Sequence, residues 1–347
     1  MTLRPVLCRR IPAARSFSAT ACHARIPLDI PPPFPVTKSC PEPSCSCPIT
    51  PLMPDGLPID YNQPLNGTMA AYAQQILICT GQRDWTSRIE DDGKHHAWGH
   101  LARGLKRLLG RGGRYADPFN NILVSNSSFS PSATSIGNPS TASAFLFPSF
   151  KYFPSIPTEI LASTDTGTDL STFTRAFLLP RKLSAISESL PAVRKAELTR
   201  KPELAAEFTD AMDLYHSPII LICGHGGRDK RCGVMAPVLE SEFRRVLSDN
   251  GFSCDSHITD SPAHAHVGLI SHVGGHKYAG NVIVYIPPGV TIKGSSSPHP
   301  LAGKGIWYGR IEPKHVQGVV KETILSGKVV IDHFRGAIDR NGDILRL

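Results

Sequence analysis

Apolar residues in this chain fall into short runs and helical stripes that occur in two halves. A strand-like run, Gln75-Ile76-Leu77-Ile78-Cys79-Thr80-Gly81, is echoed by Ile219-Ile220-Leu221-Ile222-Cys223-Gly224, so that Ile-Leu-Ile-Cys recurs at an offset of 144. Each run ends in a loop containing glycine, and each is followed by a stripe at helical spacing. The first stripe is Leu101, Leu105, Leu108 and Leu109; the second is Leu239, Phe243, Val246 and Leu247, at an offset of 138. The echo predicts a duplicated α/β unit.

The second unit can be followed further. A short polar strand is expected near Ser253 to Ile258, then the segment His272 to Ala279, a strand at Asn281 to Ile286 and another at Ile306 to Ile311. A last helix is expected from Pro313, a residue suited to a first helical turn, to a stop before Gly327. Its apolar face is Val316, Val319, Val320, Thr323 and Ile324. Strand, helix, strand, short helix, strand, strand, helix is the order of a thioredoxin-like fold. Between the halves, the Ser-rich stretch Ser125 to Ser143 reads as a surface loop and the charged stretch Pro191 to Leu214 as a connecting helix.

With 347 residues the chain exceeds the usual size of one domain. No apolar run approaches the roughly 18 to 20 residues that span a bilayer, so no membrane span is expected. Residues before Asp29 carry Arg4, Arg9, Arg10, Arg15 and Arg25 with no acidic residue, the profile of a mitochondrial presequence. Arg15-Ser16-Phe17-Ser18-Ala19 has the look of a processing site, and cleavage after Phe17 would lower the formal charge from +8 to +4. Most of the basic balance is then an address signal, and no nucleic-acid partner is needed to explain it. Such a leader serves either matrix or intermembrane space. The nine cysteines do not form a secreted disulfide framework. Cys40, Cys45 and Cys47 cluster in a Pro-rich stretch that reads as a flexible tether, either with incidental thiols or able to exchange disulfides with partners.

Two short motifs carry the chemistry. Cys223 and Cys232 enclose eight residues rich in glycine, with Arg228, Lys230 and Arg231 nearby to favour ionised thiols. His272 and His276 enclose Val-Gly-Gly, glycines that make sense where backbone passes close to something bulky. Structural zinc sites usually gather thiols at C-x2-C or C-x4-C spacing. The wider arch suits a larger object such as a two-iron cluster. Neutral imidazoles in place of two thiolates would place such a centre at roughly −150 to +300 mV, against about −400 mV for all-cysteine clusters.

With Lys277-Tyr278-Ala279-Gly280-Asn281 following and Trp307-Tyr308-Gly309-Arg310 near the end, these motifs resemble the sucrase/ferredoxin-like family of thioredoxin-like ferredoxins. The resemblance implies a [2Fe-2S] cluster on Cys223, Cys232, His272 and His276, and redox proteins of mitochondria as partners. It implies a partition into a presequence (1–25), a Pro/Cys-rich flexible segment (26–58), an N-terminal α/β domain without cluster (59–190), a connector helix (191–214) and a thioredoxin-like ferredoxin domain (215–347). The first half keeps Cys79 alone, so the chemistry is expected in the second.

Other histidines read as structural or surface groups. His225 lies in the thiol loop, where it could reach a cluster sulfur or face solvent. His264 and His266 suggest a surface loop, and His96 and His100 a helix surface. Lys94, Arg103, Lys106, Arg107, Arg111 and Arg114 read as a solvated basic face or a docking patch for an acidic redox partner. No nucleophile–base set, dinucleotide fingerprint or phosphate loop is evident. The expected function is electron transfer or thiol redox quality control rather than stand-alone catalysis. A zinc-stabilised interaction module, and a thiol–disulfide oxidoreductase using Cys223 or the tether cysteines, are the alternatives.

Overall fold

The computed structural model describes residues 31–44, 46–161 and 167–347. The expected presequence lies outside these residues, as does Cys45.

In chain order the elements are β1 (Val36–Thr37), β2 (Gln74–Cys79), α1 (Ala97–Leu109), β3 (Ile122–Ser127), β4 (Thr141–Phe147), β5 (Lys151–Pro157), α2 (Leu170–Phe173), α3 (Ala192–Leu198) and β6 (Met212–Asp213). The second half follows with β7 (Ile219–Cys223), α4 (Lys230–Asp249), β8 (His266–Ile270), β9 (Val282–Ile286), β10 (Lys304–Tyr308), α5 (Pro313–Val319), β11 (Val329–Val330), β12 (Phe334–Ile338) and β13 (Ile344–Leu345). Eleven strands form one mixed sheet in the order β13-β12-β10-β9-β7-β8-β3-β2-β4-β5-β6.

Within it, β7 lies parallel to β8 and antiparallel to β9, and β10 is antiparallel to β9. This is the strand order of a thioredoxin-like fold. In the first half β2 is parallel to β3 and antiparallel to β4, with β5 beyond. The Ile-Leu-Ile-Cys run ends the central strand in each half. The halves meet at β3 and β8, where Ser127 pairs with Ile270.

Each stripe predicted on a helix is buried except at Leu109, which is half-buried. Leu101, Leu105 and Leu108 of α1, and Leu239, Phe243, Val246 and Leu247 of α4, pack on one face of the sheet together with Val316 and Val319 of α5. The opposite face is apolar too, because the sheet curls onto itself. Five strand spacings of about 4.8 Å would separate β4 from β9 by about 24 Å in a flat sheet. Instead the Phe147 and Tyr285 rings stack with centroids 3.9 Å apart.

A buried hydrogen-bond chain crosses this concave side. Trp307 Nε1 donates to Tyr72 Oη at 3.0 Å, Tyr72 and Tyr285 share a bond of 2.8 Å, Tyr285 Oη donates to Gln75 Oε1 at 2.8 Å, and Gln75 Nε2 donates to Ser125 Oγ at 3.1 Å. The polar atoms of four large side chains are thereby met inside an apolar layer, as burial requires.

Five expectations differ from the structure, the first being the loop expected from Ser125 to Ser143, whose two ends are buried in β3 and β4. The second strand of the second half is β8, not Ser253 to Ile258, where Ser253 makes an isolated bridge to His264. His264 and His266 are buried accordingly, 3% and 1% exposed, and His266 Nε2 bonds Thr259 O at 2.7 Å. The stretch 191–214 is no single helix: α3 ends at Leu198, Pro202 starts a separate 3-10 turn, and β6 pairs with β5. The described part of 26–58 is packed onto the second half instead of hanging free. Phe34 stacks edge-on against Phe334, β1 pairs with β11, Cys40 Sγ donates to His315 O at 3.4 Å, and Pro58 O accepts from Arg231 at 3.0 Å. Proline removes competing local structure, so an extended segment can lay its few apolar side chains and backbone groups on a neighbour.

Candidate functional site

Cys223 ends β7, a fully buried apolar strand in the middle of the sheet, with its thiol in the core, 1% exposed. The chain then turns through Gly224 to Asp229 and enters α4. Asp229 caps this helix, its carboxylate accepting from Arg231 N at 3.0 Å, and Cys232 follows in the first turn, fully buried. The arch thus brings two thiols into contact at a helix N-terminus, whose dipole favours negative charge.

The pair shares charge unequally. Contact with the Cys232 thiol, followed by that with the His272 imidazole, holds the Cys223 thiol well below its ordinary value despite burial. Cys232 is pushed up by the same contact and by burial. Cys79, at the end of the corresponding strand of the first half, is pushed up to about 12 by burial. The two thiols of the repeated tetrapeptide therefore behave oppositely.

His272 and His276 follow β8, with ring centroids 5.2 Å apart. His272 is half-buried, and its Nδ1 is buried without a hydrogen-bond partner; His276 is exposed. Burial nonetheless holds the His276 imidazole below its usual range, Asp229 opposing. The donors are graded from core thiols to surface imidazole. The glycines between the histidines have φ of 90° at Gly274 and 74° at Gly275. A Cβ on Gly275 would lie 2.4 Å from the Arg335 guanidinium, which is the bulky group this backbone passes.

Arg335 is a residue the sequence reading missed. It sits in β12, 1% exposed, and donates to Gly274 O at 3.2 Å, Asn281 Oδ1 at 2.7 Å, Thr68 O at 2.7 Å and Thr68 Oγ1 at 3.1 Å. Burial lowers its pKa to about 10, while Cys223, followed by Tyr278 and Cys232, opposes the shift. A single arginine in an apolar strand is the available sequence signal.

His225 is neither a surface group nor in contact with a thiol through its ring nitrogens. It is 1% exposed; Nδ1 accepts from His272 N at 3.0 Å, and Nε2 donates to Trp85 O at 3.1 Å and Thr86 O at 2.8 Å. The first half supports the thiol loop elsewhere too: Asp84 accepts from Gly227 N at 3.1 Å, and Ser87 Oγ accepts from Arg228 at 3.2 Å. His96 and His100 are exposed, as read.

The donor set fits a cluster chemically: two touching buried thiols, one readily ionised, an imidazole nitrogen without a partner, and a buried cation against the negative charge. Among the described residues no three His, Cys, Asp or Glu side chains are gathered so as to hold a single metal ion. A [2Fe-2S] cluster divides its ligands between two irons and does not ask four donors to converge on one point.

Comparison with known proteins places the chain in a family. No solved structure matches the chain. "Altered inheritance of mitochondria protein 32" of Debaryomyces hansenii is 29% identical over 87% of this chain and 96% of its own length. The protein of the same name from Meyerozyma guilliermondii is 35% identical over 49% of this chain and 51% of its own. "Actin patches distal protein 1" of Saccharomyces cerevisiae is 36% identical over 30% of this chain and 29% of its own. A profile described as sucrase/ferredoxin-like matches residues 65–336, from the loop before β2 to the strand that carries Arg335. All strands of the curled sheet but β13 and the end of β12 fall inside that span, and the chain belongs to the sucrase/ferredoxin-like family.

Proposed function

We propose that this protein is a mitochondrial electron carrier that holds a [2Fe-2S] cluster on Cys223, Cys232, His272 and His276. The observation that carries the reading is the contact of the buried Cys223 thiol with both the Cys232 thiol and the His272 imidazole, which holds Cys223 toward its thiolate form. When bound, the cluster would supply one-electron chemistry at a potential raised by its neutral imidazoles. The chain's own residues orient and shield. Asp229 and α4 seat Cys232, His225 fixes the backbone of His272, and Arg335 pins the intervening glycine loop. His276, on the surface, is where a partner would come nearest. The leader and the names of the relatives support a mitochondrial site, and redox proteins there are the proposed partners.

A thiol–disulfide role is the second reading, favoured by the shared charge of the two thiols. Their burial opposes it, because exchange needs a partner's sulfur to reach the attacking thiolate.

Anaerobically purified protein should contain iron and sulfide in equal amounts, absorb in the visible and give an EPR signal on reduction. His272→Cys and His276→Cys should alter these spectra and lower the midpoint potential. Colourless protein with stoichiometric zinc would favour an interaction module instead. Metal-free protein that reduces insulin disulfides would favour the oxidoreductase.

A further inference from the structure

A cavity of about 930 Å³ lies between α1 of the first half and the thiol loop of the second. Its walls include Leu105, Leu109, Ile122 and Val124, and its lining carries the cations Arg88, Lys106, Arg111 and Arg228 alongside two carboxylates, Glu90 and Asp117. Glu90 is taken up by Lys106 at 3.1 Å, so the surplus charge at the opening is positive.

The inner end is unusual. Ile122 and Val124 face the cavity from β3, and by strand alternation Asn126 is the next residue on that face. Asn126 does not itself line the cavity but lies fully buried just behind Ser271, which bonds its backbone, and neither its Oδ1 nor its Nδ2 has a hydrogen-bond partner. Its partner Ser271 lines the same cavity. An amide with donor and acceptor both unmet, set among aliphatic side chains, is out of keeping with a packed core. It matches a ligand that offers a donor and an acceptor side by side, as the edge of a purine base does.

We propose that this cavity binds a nucleotide, its base lying between the aliphatic walls with its polar edge toward Asn126 and its phosphates between Arg111 and Arg228. The volume suits a ligand of that size, and the base end and phosphate end are each provided for by separate residues. The proposal does not depend on the metal reading, since neither Asn126 nor the basic residues belong to the proposed ligand set.

Titration calorimetry on the purified full chain with ADP, adenosine and pyrophosphate tests it. ADP should bind saturably and at least tenfold more tightly than either fragment. Asn126→Asp should weaken ADP at least tenfold and leave pyrophosphate unchanged. Arg111→Ala combined with Arg228→Ala should weaken ADP and pyrophosphate but not adenosine. Asn126→Leu, apolar and of similar size, should melt no lower than the parent yet lose ADP, which separates binding from folding. Absence of saturable ADP binding would overturn the proposal. So would ADP binding that is no tighter than pyrophosphate and indifferent to both Asn126 variants.

Discussion

Replacing Arg335 by methionine removes a cation buried beneath the His272–His276 loop while keeping an unbranched chain of similar reach. Three carbonyl oxygens, Gly274 O, Thr68 O and Asn281 Oδ1, lose a donor at 2.7–3.2 Å. At about 2 kcal/mol for each unmet buried acceptor the loss is about 6 kcal/mol. Methionine also relieves a cost. Burial lowers the guanidinium pKa from 12.5 to about 10, a desolvation penalty of about 3 kcal/mol that the variant does not carry. The net expectation is a destabilisation of about 3 kcal/mol, read as a lower urea midpoint with an unchanged slope.

A site-specific readout accompanies it. With Gly274 released, the loop bearing both histidines is freed, and the rate at which a thiol reagent modifies Cys223 in metal-free protein should rise at least tenfold. Arg335→Lys keeps the charge but replaces the fork with a point donor, and should fall between the two in both assays. A methionine variant within about 1 kcal/mol of the parent, with Cys223 no more reactive, would refute the idea that Arg335 holds the loop.

Further predictions concern the contacts between halves and the buried imidazoles. A Cβ at Gly227 would lie 2.1 Å from Trp85 O, so Gly227→Ala should cost about 1–3 kcal/mol in chemical denaturation; no loss would mean the thiol loop does not sit on Trp85. Tyr72→Phe should cost about 1–3 kcal/mol, and its combination with Trp307→Phe should be less than additive, because both remove the same 3.0 Å bond. His266 and His299 are each pushed down to about 4 by burial, from an ordinary 6.5. The unfolded chain therefore binds protons that the fold refuses between these values, and stability falls as pH drops through that window. Each histidine should contribute about 2 kcal/mol of loss between pH 7 and 5. His266→Gln should remove its share from urea curves measured at the two pH values, and an equally steep dependence in the variant would count against this assignment.

Legibility in the sequence followed the range of the interactions involved. Helices α1, α4 and α5 and strands β2, β7, β9 and β10 announce themselves because one residue pattern decides each. The thiol arch and the histidine pair were legible for the same reason, being local motifs. Strand β8, His-Val-Gly-Leu-Ile, was missed because a histidine and a glycine mask a run that is buried only once β3 pairs beside it. The roles of His225 and Arg335 escaped because many of their partners are backbone groups, Trp85 O, Thr86 O, His272 N, Gly274 O and Thr68 O, which leave no side-chain signature. The proline-rich segment was read as free because its anchors, Pro58 O on Arg231 and β1 on β11, are of the same backbone kind.

The same contacts argue that residues 215–347 do not stand alone. The second half contributes Leu221, Ile283, Tyr285 and Trp307 to the concave side of the sheet, and their cover comes in large part from Tyr72, Phe145, Phe147 and Phe150 of the first. Trp307 and Tyr285 alone would each uncover on the order of 150–250 Å² of side-chain surface, a patch of the size that marks an interaction site or drives aggregation. Two hydroxyl- or indole-bearing groups would also lose partners, and His225 would lose both carbonyls that orient it against His272. The fragment 215–347 expressed alone should therefore aggregate or bind a hydrophobic dye, and should be rescued by residues 31–214 supplied in trans. A monomeric fragment with a cooperative melt near that of the full chain, and with Cys223 equally protected from thiol reagents, would show that the motif-bearing half needs no support. The first half, which carries none of the proposed ligands, would then have no part in shaping the site.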